Sequence, residues 1–296
     1  MTCYFCKSAT PIKDSHVVPN FMSKHIKKNS PFGYMLNLWS KKPEHDLHKG
    51  PYFCRKCDNE VISGWESFFA SKVWRDPLNA NNYWGSEESL NFILSLAYRY
   101  AIHFIETSPV AANKPYSTCV MKIAENAIRD HSQIGRSVFI YPYVHQKIEK
   151  DCDFIPGVNH LLSLAAHGES LPKEGGLPNA FLVIVPKMIF LFCDRDLSSV
   201  SEKSFQSPVQ LEPGKSFDAS LSNTDMPIFL SSIINRLINH GQSHQKNIGR
   251  WKKMAYGADK LINPDKICYV AQKQDQSLLN WQRKNCANKA LQRTSR

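Results

Sequence analysis

Two short stretches decide the fold of the N-terminal part: Cys3-Tyr4-Phe5-Cys6 and Cys54-Arg55-Lys56-Cys57. In each stretch two residues separate the cysteines, and this spacing lets both sulfurs face one metal ion at about 2.3 Å. Two such pairs supply the four thiolates of a tetrahedral structural zinc site. The sequence therefore predicts one zinc ion held by Cys3, Cys6, Cys54 and Cys57.

Two alternatives to the zinc site stay open at this point: two unrelated pairs of reduced cysteines, or a redox Cys-x-x-Cys motif. A redox motif follows a strand and opens a helix within a βαβ unit, and neither pair has that setting. The remaining cysteines lack a comparable spacing, so each is interpreted as a small buried hydrophobe. These cysteines are Cys119, Cys152, Cys193, Cys268 and Cys286.

Charge is concentrated at the two ends of the 296-residue chain, whose formal net charge is +11. Residues 1–60 hold ten Lys or Arg against five Asp or Glu, and residues 244–296 hold twelve against three. Positive ends favour a polyanionic partner, with nucleic acid (DNA before RNA) ahead of an acidic membrane surface. A surface charged only for solubility is the alternative, and a protein partner cannot be read from the sequence.

The chain shows no targeting or membrane segment. Its first residues, MTCYFCKSAT, lack the apolar run of a secretory signal, so we expect a cytoplasmic protein with reduced cysteines. The apolar segment Ala180–Cys193 is shorter than the roughly 20 residues of a spanning helix, and Pro186 and Lys187 interrupt it. We interpret it as two buried strands joined by a tight turn, and we expect no membrane contact.

Apolar periodicity predicts an α+β protein in two domains, a zinc-binding domain over residues 1–78 and an α+β domain over residues 79–296. The second domain starts with helices and ends in a basic tail, and the boundary lies near Pro77–Asn82. Residues 83–135 are predicted to be helical, with a first helix that starts at Ser86 and runs through Phe104 and a second at Ser117–His131; further helices are predicted at Val158–Ala166 and Ile228–Ile238. Strands are predicted at Ser137–Val144 and in both halves of Ala180–Cys193, and a Gly- and Pro-rich loop at His167–Asn179.

Between the cysteine pairs lies Asp14-Ser15-His16-Val17-Val18-Pro19-Asn20-Phe21, and after them Cys57-Asp58-x-x-Val61-Ile62-Ser63-x-Trp65-Glu66. A Cys-x-x-Cys pair, a His followed by β-branched residues and Pro, and a second pair opening a helix resemble one family. It is the zinc-containing branch of the HNH (ββα-metal, treble-clef) endonucleases, in a bacterial subgroup. The resemblance covers residues 1–75 and implies a treble-clef unit.

The resemblance implies that His16 is the general base that activates the attacking water. In the family the residue before this His is usually an acidic ligand of a catalytic Mg²⁺ or Mn²⁺, and here it is Ser15 with Asp14 one place earlier. If this segment is a strand, Asp14 and His16 share a face and Ser15 points away. The residue after the last Cys often binds the same metal, which implies Asp58 as a ligand.

The middle Asn of the family is not matched, because Lys49 stands in its place with His48 beside it. Glu60 and Glu66 follow Cys57 on the expected helix and could supply a further carboxylate. A substrate phosphate would be held by Lys13, Lys49 or Arg55.

The final residues 288–296, NKALQRTSR, resemble tails on products of integron gene cassettes, which suggests a mobile gene and a role in defence against phage. Three hypotheses arise from the whole sequence. The first is a metal-dependent HNH-type endonuclease. The second is a zinc-stabilised module that binds nucleic acid without cutting it, and the third is a scaffold for another subunit.

Overall fold

The structure is a computed structural model, and it confirms an α+β protein. It describes residues 1–29, 35–36, 43–44, 48–107, 114–144, 166–171, 179–197 and 209–219. The chain divides into two compact units. The first comprises Met1–Ser23, Asp46–Val144 and Ala166–Met226, and the second comprises Lys24–His45, His145–Ala165 and Pro227–Arg296.

A short antiparallel ladder closes the N-terminal part of the first unit. Strand β1 (Ser15–His16) pairs with β4 (Lys49–Gly50), so that Ser15 lies opposite Gly50 and His16 opposite Lys49. The ladder extends by one bond from the Val17 N–H to the His48 carbonyl at 2.9 Å. The ladder therefore brings the His16 segment beside the second cysteine pair.

The chain between these strands forms helix α1 (Asn20–Asn29) and a second ladder. In that ladder β2 (Met35–Leu36) pairs antiparallel with β3 (Pro43–Glu44). Both of these strands belong to the second compact unit. Helix α1 carries two lysines in its last turn, Lys27 and Lys28.

The predicted helix after the second cysteine pair is present, and it opens with an irregular segment. Residues Cys57–Ile62 are π-helical, and helix α2 (Ser63–Lys72) continues them. The Phe69 ring of α2 stacks on Phe92 with centroids 4.2 Å apart and meets Trp84 edge-on at 5.9 Å. Trp84 ends the short helix α3 (Asn81–Trp84). The segment predicted as the zinc domain therefore shares its aromatic core with residues beyond position 78.

The two predicted central helices are confirmed as α4 (Glu87–Thr107) and α5 (Lys114–Arg129). The Ser86 hydroxyl accepts a bond from the Ser89 N–H at 3.4 Å, which is the helix start that the sequence indicated. Every residue from Ser89 to Ile102 is buried, because α4 packs against α2, α5 and the sheet. A helix buried on all sides is the central element of a domain.

A four-stranded antiparallel sheet is formed by β5 (Phe139–Val144), β6 (His167–Leu171), β7 (Ala180–Val185) and β8 (Met188–Cys193), in the order β5-β8-β7-β6. Strands β5, β7 and β8 were predicted, and every side chain of β7 and β8 is buried. Lys187 turns the β7–β8 hairpin at φ 71°. No helix in the described part of the chain is long and apolar enough to cross a membrane.

The loop predicted from His167 is wrong over its first residues. They form the edge strand β6 (His167–Leu171), which takes its backbone hydrogen bonds from β7. A side chain at Gly168 would meet the Tyr100 ring at 2.8 Å, so the glycine that suggests a loop instead allows a close approach to α4. The helix predicted at Val158–Ala166, apart from its last residue, and the helix at Ile228–Ile238 lie outside the described residues.

Candidate functional site

The four cysteine sulfurs lie together. Cys3, Cys6, Cys54 and Cys57, here called the cysteine cluster, have their Sγ atoms within 4.8 Å of one another. The Cys6 and Cys54 sulfurs are 3.8 Å apart. A tetrahedron with Zn–S bonds of about 2.3 Å has edges of about 3.8 Å, so this donor set fits a zinc ion in size and chemistry.

The backbone around the first pair forms a tight knuckle. The Cys3 N–H donates to the Ala9 carbonyl at 2.7 Å, and the Lys7 N–H donates to the Cys3 carbonyl at 2.9 Å. Lys7 adopts a left-handed φ of 60° to complete the turn. The Ser8 hydroxyl, followed by the backbone N–H groups of Ala9 and Ser8, lowers the pKa of Cys6 to about 5. These donors favour the thiolate, which is the form that binds metal.

The second pair is in a less polar setting. Cys54 and Cys57 are buried, and the Asp58 N–H donates to the Cys54 carbonyl at 3.0 Å. Burial, followed by the neighbouring cysteines, raises the pKa of Cys57 well above its ordinary value. Four thiolates close together and partly buried need a cation to offset their charge. The cysteine cluster could therefore hold a metal ion, whose charge would favour the thiolate form of all four side chains.

The knuckle is tied to the central helices. The Tyr98 hydroxyl donates to the Tyr4 carbonyl at 2.6 Å, and the Tyr4 hydroxyl donates to the Glu106 carboxylate, so both bonds join the knuckle to α4. On the α5 side, the Lys7 ammonium lies 3.2 Å from the Glu125 carboxylate. A structural metal at the cysteine cluster would therefore stabilise the first unit well beyond residues 1–60.

The Ser15 side chain points into the protein and binds the backbone of Phe53. It is 0% exposed, its hydroxyl accepts the Phe53 N–H at 3.0 Å, and it donates to the Phe53 carbonyl at 3.2 Å. His16, the next residue of β1, has its side chain on the opposite face and is half-buried. Ser15 is therefore used by the backbone of the second cysteine pair and is directed away from any site on the His16 face.

Asp58 is the centre of a group of charges. It is half-buried on the π-helical turn next to Cys57. Burial raises the pKa of Asp58, the Arg99 guanidinium lowers it, Glu66 raises it, and His16 lowers it. These effects place His16, Glu66 and Arg99 within electrostatic range of one carboxylate. We call His16, Asp58, Glu66 and Arg99 the charged cluster.

Of the remaining predicted residues, three are exposed and one is half-buried. Lys13 and Asp14 form an exposed turn before β1, and Arg55 is exposed at the start of the helical segment. Lys49 is half-buried opposite His16 in the ladder. The charge of His16 lowers the pKa of Asp58, and Asp14 lies in the exposed turn that precedes β1.

Arg99 is the member of the charged cluster that sequence reasoning missed. Its signal was a charged residue in the middle of an apolar helical stretch, between Tyr98 and Tyr100. A buried arginine needs an anionic partner. That partner is Glu66, whose Oε1 lies 2.6 Å from an Arg99 terminal nitrogen.

A second feature missed in the sequence is a pair of imidazoles beside the ladder. The His48 and His103 rings have centroids 4.4 Å apart, and the Tyr52 hydroxyl lies 2.9 Å from the His103 Nδ1. Burial, and then the charge of His48, lower the pKa of His103 to about 4. His48 adopts a φ of 44°, so it shapes the turn into β4.

Comparisons with protein-family models, characterised proteins and solved structures found no match to this chain. Within the described ranges, the cysteine cluster is the group of three or more metal-ligating side chains that converges on one point. It could hold a metal ion such as zinc. A function for this chain therefore has to be inferred from its own geometry.

Proposed function

We propose that this chain is a metal-dependent HNH-type endonuclease that hydrolyses nucleic-acid phosphodiester bonds. The observation that carries the proposal is where the fold puts His16 and Asp58 relative to the cysteine cluster. His16 sits on a short hairpin strand, and Asp58 sits on the helix that starts at the last residue of the cysteine cluster. A treble-clef unit of the HNH type combines these elements, with the cysteine cluster holding structural zinc.

His16 acts as the general base. A neutral imidazole accepts a proton from water while the water oxygen attacks the scissile phosphorus. The bond from phosphorus to the 3′ oxygen then breaks, leaving a 5′ phosphate and a 3′ hydroxyl. The negative charge of Asp58 orients His16 and keeps the charged cluster anionic. An anionic surrounding suits an imidazole that gains a proton in the step.

A catalytic Mg²⁺ or Mn²⁺ would be held by Asp58, with Glu66 of the charged cluster as a second carboxylate. Mg²⁺ commonly uses one or two protein carboxylates and completes its shell with water and substrate phosphate, so a convergent set of three side chains is not needed. When bound, such an ion stabilises negative charge on the departing oxygen. Asp14 would contribute only through its position before β1.

The substrate proposed is DNA rather than RNA, contacted through its phosphates. Lys13 is exposed after the first cysteine pair, Arg55 is exposed within the second pair, and Lys49 is across the ladder from His16. Phosphate contacts of this kind give affinity without reading sequence. The positive ends of the chain support the same partner, and a mobile gene serving phage defence in the cytoplasm is the context we propose.

One observation favours a second candidate, a zinc-stabilised module that binds nucleic acid without cutting. Ser15 occupies the place of an acidic ligand in the family that the sequence resembles, and its hydroxyl is engaged by Phe53. Lys49 takes the place of the middle Asn. A module of this kind needs the cysteine cluster and the basic surface but not His16.

A plasmid-nicking assay separates these two functions. The full chain is incubated with supercoiled plasmid and Mg²⁺ or Mn²⁺, and His16→Ala and Asp58→Asn are compared with it. Loss of a general base costs about 10²- to 10⁴-fold in rate. His131→Ala is the matched control, because His131 is also half-buried and is bonded to Asn91 at 2.8 Å outside the charged cluster.

Cleavage by the natural chain and by His131→Ala, with loss in His16→Ala, supports the endonuclease. Retention of plasmid binding in a gel shift by all variants, without cleavage by any of them, supports the binding module instead. Cleavage that persists in His16→Ala contradicts the assigned base.

A further inference from the structure

Arg99 is an unusual residue for the interior of a helix. Its side chain is 1% exposed, within the fully buried part of α4. Its Nε donates to the Ser95 carbonyl at 3.2 Å, one terminal nitrogen donates to the Ser95 hydroxyl at 3.0 Å, and the other reaches Glu66 at 2.6 Å. Ser95 is on the preceding turn of the same helix, so the guanidinium is held in one orientation.

Glu66, the partner of Arg99, is more exposed than Arg99. The Glu66 side chain remains 20% exposed, and only its Oε1 has Arg99 as a partner at hydrogen-bond distance. Removing a guanidinium from water is costly, and buried ion pairs are commonly no more stabilising than apolar residues of the same volume. Stability alone therefore does not account for a buried cation that holds one oxygen of a surface-reaching carboxylate.

The local helix geometry turns Glu66 toward the face of the helix that carries Asp58. In a regular α-helix, residues eight positions apart, as Asp58 and Glu66 are, differ by about 80° in direction. A π-helical segment needs roughly 4.4 residues per turn, so each residue turns through a smaller angle. The π-helical residues Cys57–Ile62 therefore bring Asp58 and Glu66 nearer to one face.

We propose that Arg99 is a positioning residue that fixes the Glu66 carboxylate on the face of the helix that also carries Asp58, and that Glu66 is the second acidic group through which the site works. The inference deepens the proposed endonuclease function and rests on it. Arg99 itself touches no substrate, because its side chain is buried. It supplies a fixed positive charge that offsets the charge of Glu66, while the Glu66 side chain remains partly exposed.

The test compares two single variants with the double variant. Arg99→Met and Glu66→Gln each remove one charge, and each leaves the other buried or half-buried without its counter-ion, so each lowers the melting temperature. The double variant Glu66→Gln/Arg99→Met removes both charges and regains most of the lost melting temperature. We expect kcat for plasmid cleavage to fall 10- to 100-fold in all three, with KM for DNA within twofold of the natural chain.

The stability control is Leu96→Val, a fully buried residue one turn before Arg99 on the same helix. It lowers the melting temperature without touching the charged cluster, and we expect its kcat to stay within twofold. Arg99→Lys keeps the charge but lacks the rigid planar fork that bonds Ser95 and Glu66 in fixed directions, so it should lose kcat as Arg99→Met does. Recovery of kcat together with melting temperature in the double variant would overturn the inference.

Failure of the proposed function is distinguishable from failure of this inference. If the natural chain does not cleave DNA, the function fails, and crystal structures of the natural chain and Arg99→Met then decide the inference. A Glu66 carboxylate displaced from Asp58 in Arg99→Met supports the positioning role. An unchanged Glu66 side chain in that variant contradicts it.

Discussion

The cysteine cluster and the charged cluster are neighbours on the same helix start, yet they are assembled in different ways. Cys57 belongs to the first and Asp58 to the second. The cysteine cluster joins two local motifs, and each motif aims both of its sulfurs at one point. The charged cluster joins single residues from a strand, two helical turns and a distant helix. A metal site like the cysteine cluster can thus be predicted from short sequence motifs, whereas a site like the charged cluster depends on how helices and strands pack.

The largest expected effect tests whether the cysteine cluster determines the fold around it. Cys54→Ser removes one thiolate, and structural zinc contributes about 10 kcal/mol or more to folding in small zinc domains. We expect bound zinc to fall from one per chain to none, with loss of the cooperative thermal transition of the first unit. Elemental analysis and circular dichroism measure both quantities.

Cys119→Ser is the control for this experiment, because Cys119 lies outside the cluster and is exposed, so its prediction as a buried hydrophobe is wrong. It should keep one zinc per chain and an unchanged melting temperature. If Cys54→Ser still binds one zinc per chain, the cysteine cluster is not the zinc site, and its contrast with the charged cluster fails.

The next effect tests β1, which carries His16 and is hydrogen-bonded through Ser15 to Phe53, the neighbour of Cys54. Ser15→Asp restores the acidic residue common in the resembling family, but the side chain faces Phe53 in a fully buried position. Burying a carboxylate there, without a cation, should lower the free energy of unfolding by about 3 kcal/mol or more. Urea unfolding measures the loss.

Ser15→Ala is the matched variant, and it leaves the Phe53 N–H without its acceptor at a cost of about 1–3 kcal/mol. If Ser15→Asp instead keeps its stability and increases cleavage, the side chain faces the charged cluster, and our account of β1 is wrong.

A pH effect of intermediate size concerns the turn before β4. The pKa of His103 is about 4 in the folded chain and near 6.5 when unfolded, so the unfolded state binds the proton first as pH falls. Stability is complete above about pH 6.5 and is lost progressively down to about pH 4. Between pH 7.5 and pH 5 the loss is about 2 kcal/mol.

Urea unfolding at the two pH values measures this loss, and His103→Gln should remove most of it, because glutamine does not titrate. His131→Gln, the control, should leave the pH dependence as it is. Equal pH dependence in the natural chain and His103→Gln would contradict the assignment.

The smallest effect concerns the contact between the zinc knuckle and α4. Tyr98→Phe removes the bond to the Tyr4 carbonyl and keeps the ring contacts to Phe5 and Phe53. We expect a loss of about 1–2 kcal/mol, because a buried carbonyl loses its donor, with zinc still bound. Thermal unfolding measures it, and Tyr83→Phe, at an exposed ring, should change the melting temperature by less than a degree. Loss of zinc in Tyr98→Phe would mean that the knuckle depends on α4.

Several elements could be predicted because their signals are local. Ser86 marks the start of α4, and the apolar spacing through Phe104 predicts its length. Ala180–Cys193 predicts the β7–β8 hairpin from its apolar halves and the turn between them. The loop predicted after Ala166 is wrong over its first residues. An edge strand is stabilised by backbone hydrogen bonds to its neighbour, so its own sequence needs no strong alternating pattern.

The amino-acid sequence alone was enough to predict the four residues of the cysteine cluster, the α+β class and the candidacy of His16 and Asp58, because each depends on local spacing or periodicity. The tertiary contacts were needed to show that Ser15 faces inward and that Arg99 pairs with Glu66. Glu66 and Arg99 are 33 residues apart, and their meeting depends on how α2 packs against α4. No local pattern encodes that contact, since it results from the burial of apolar faces far from both charges.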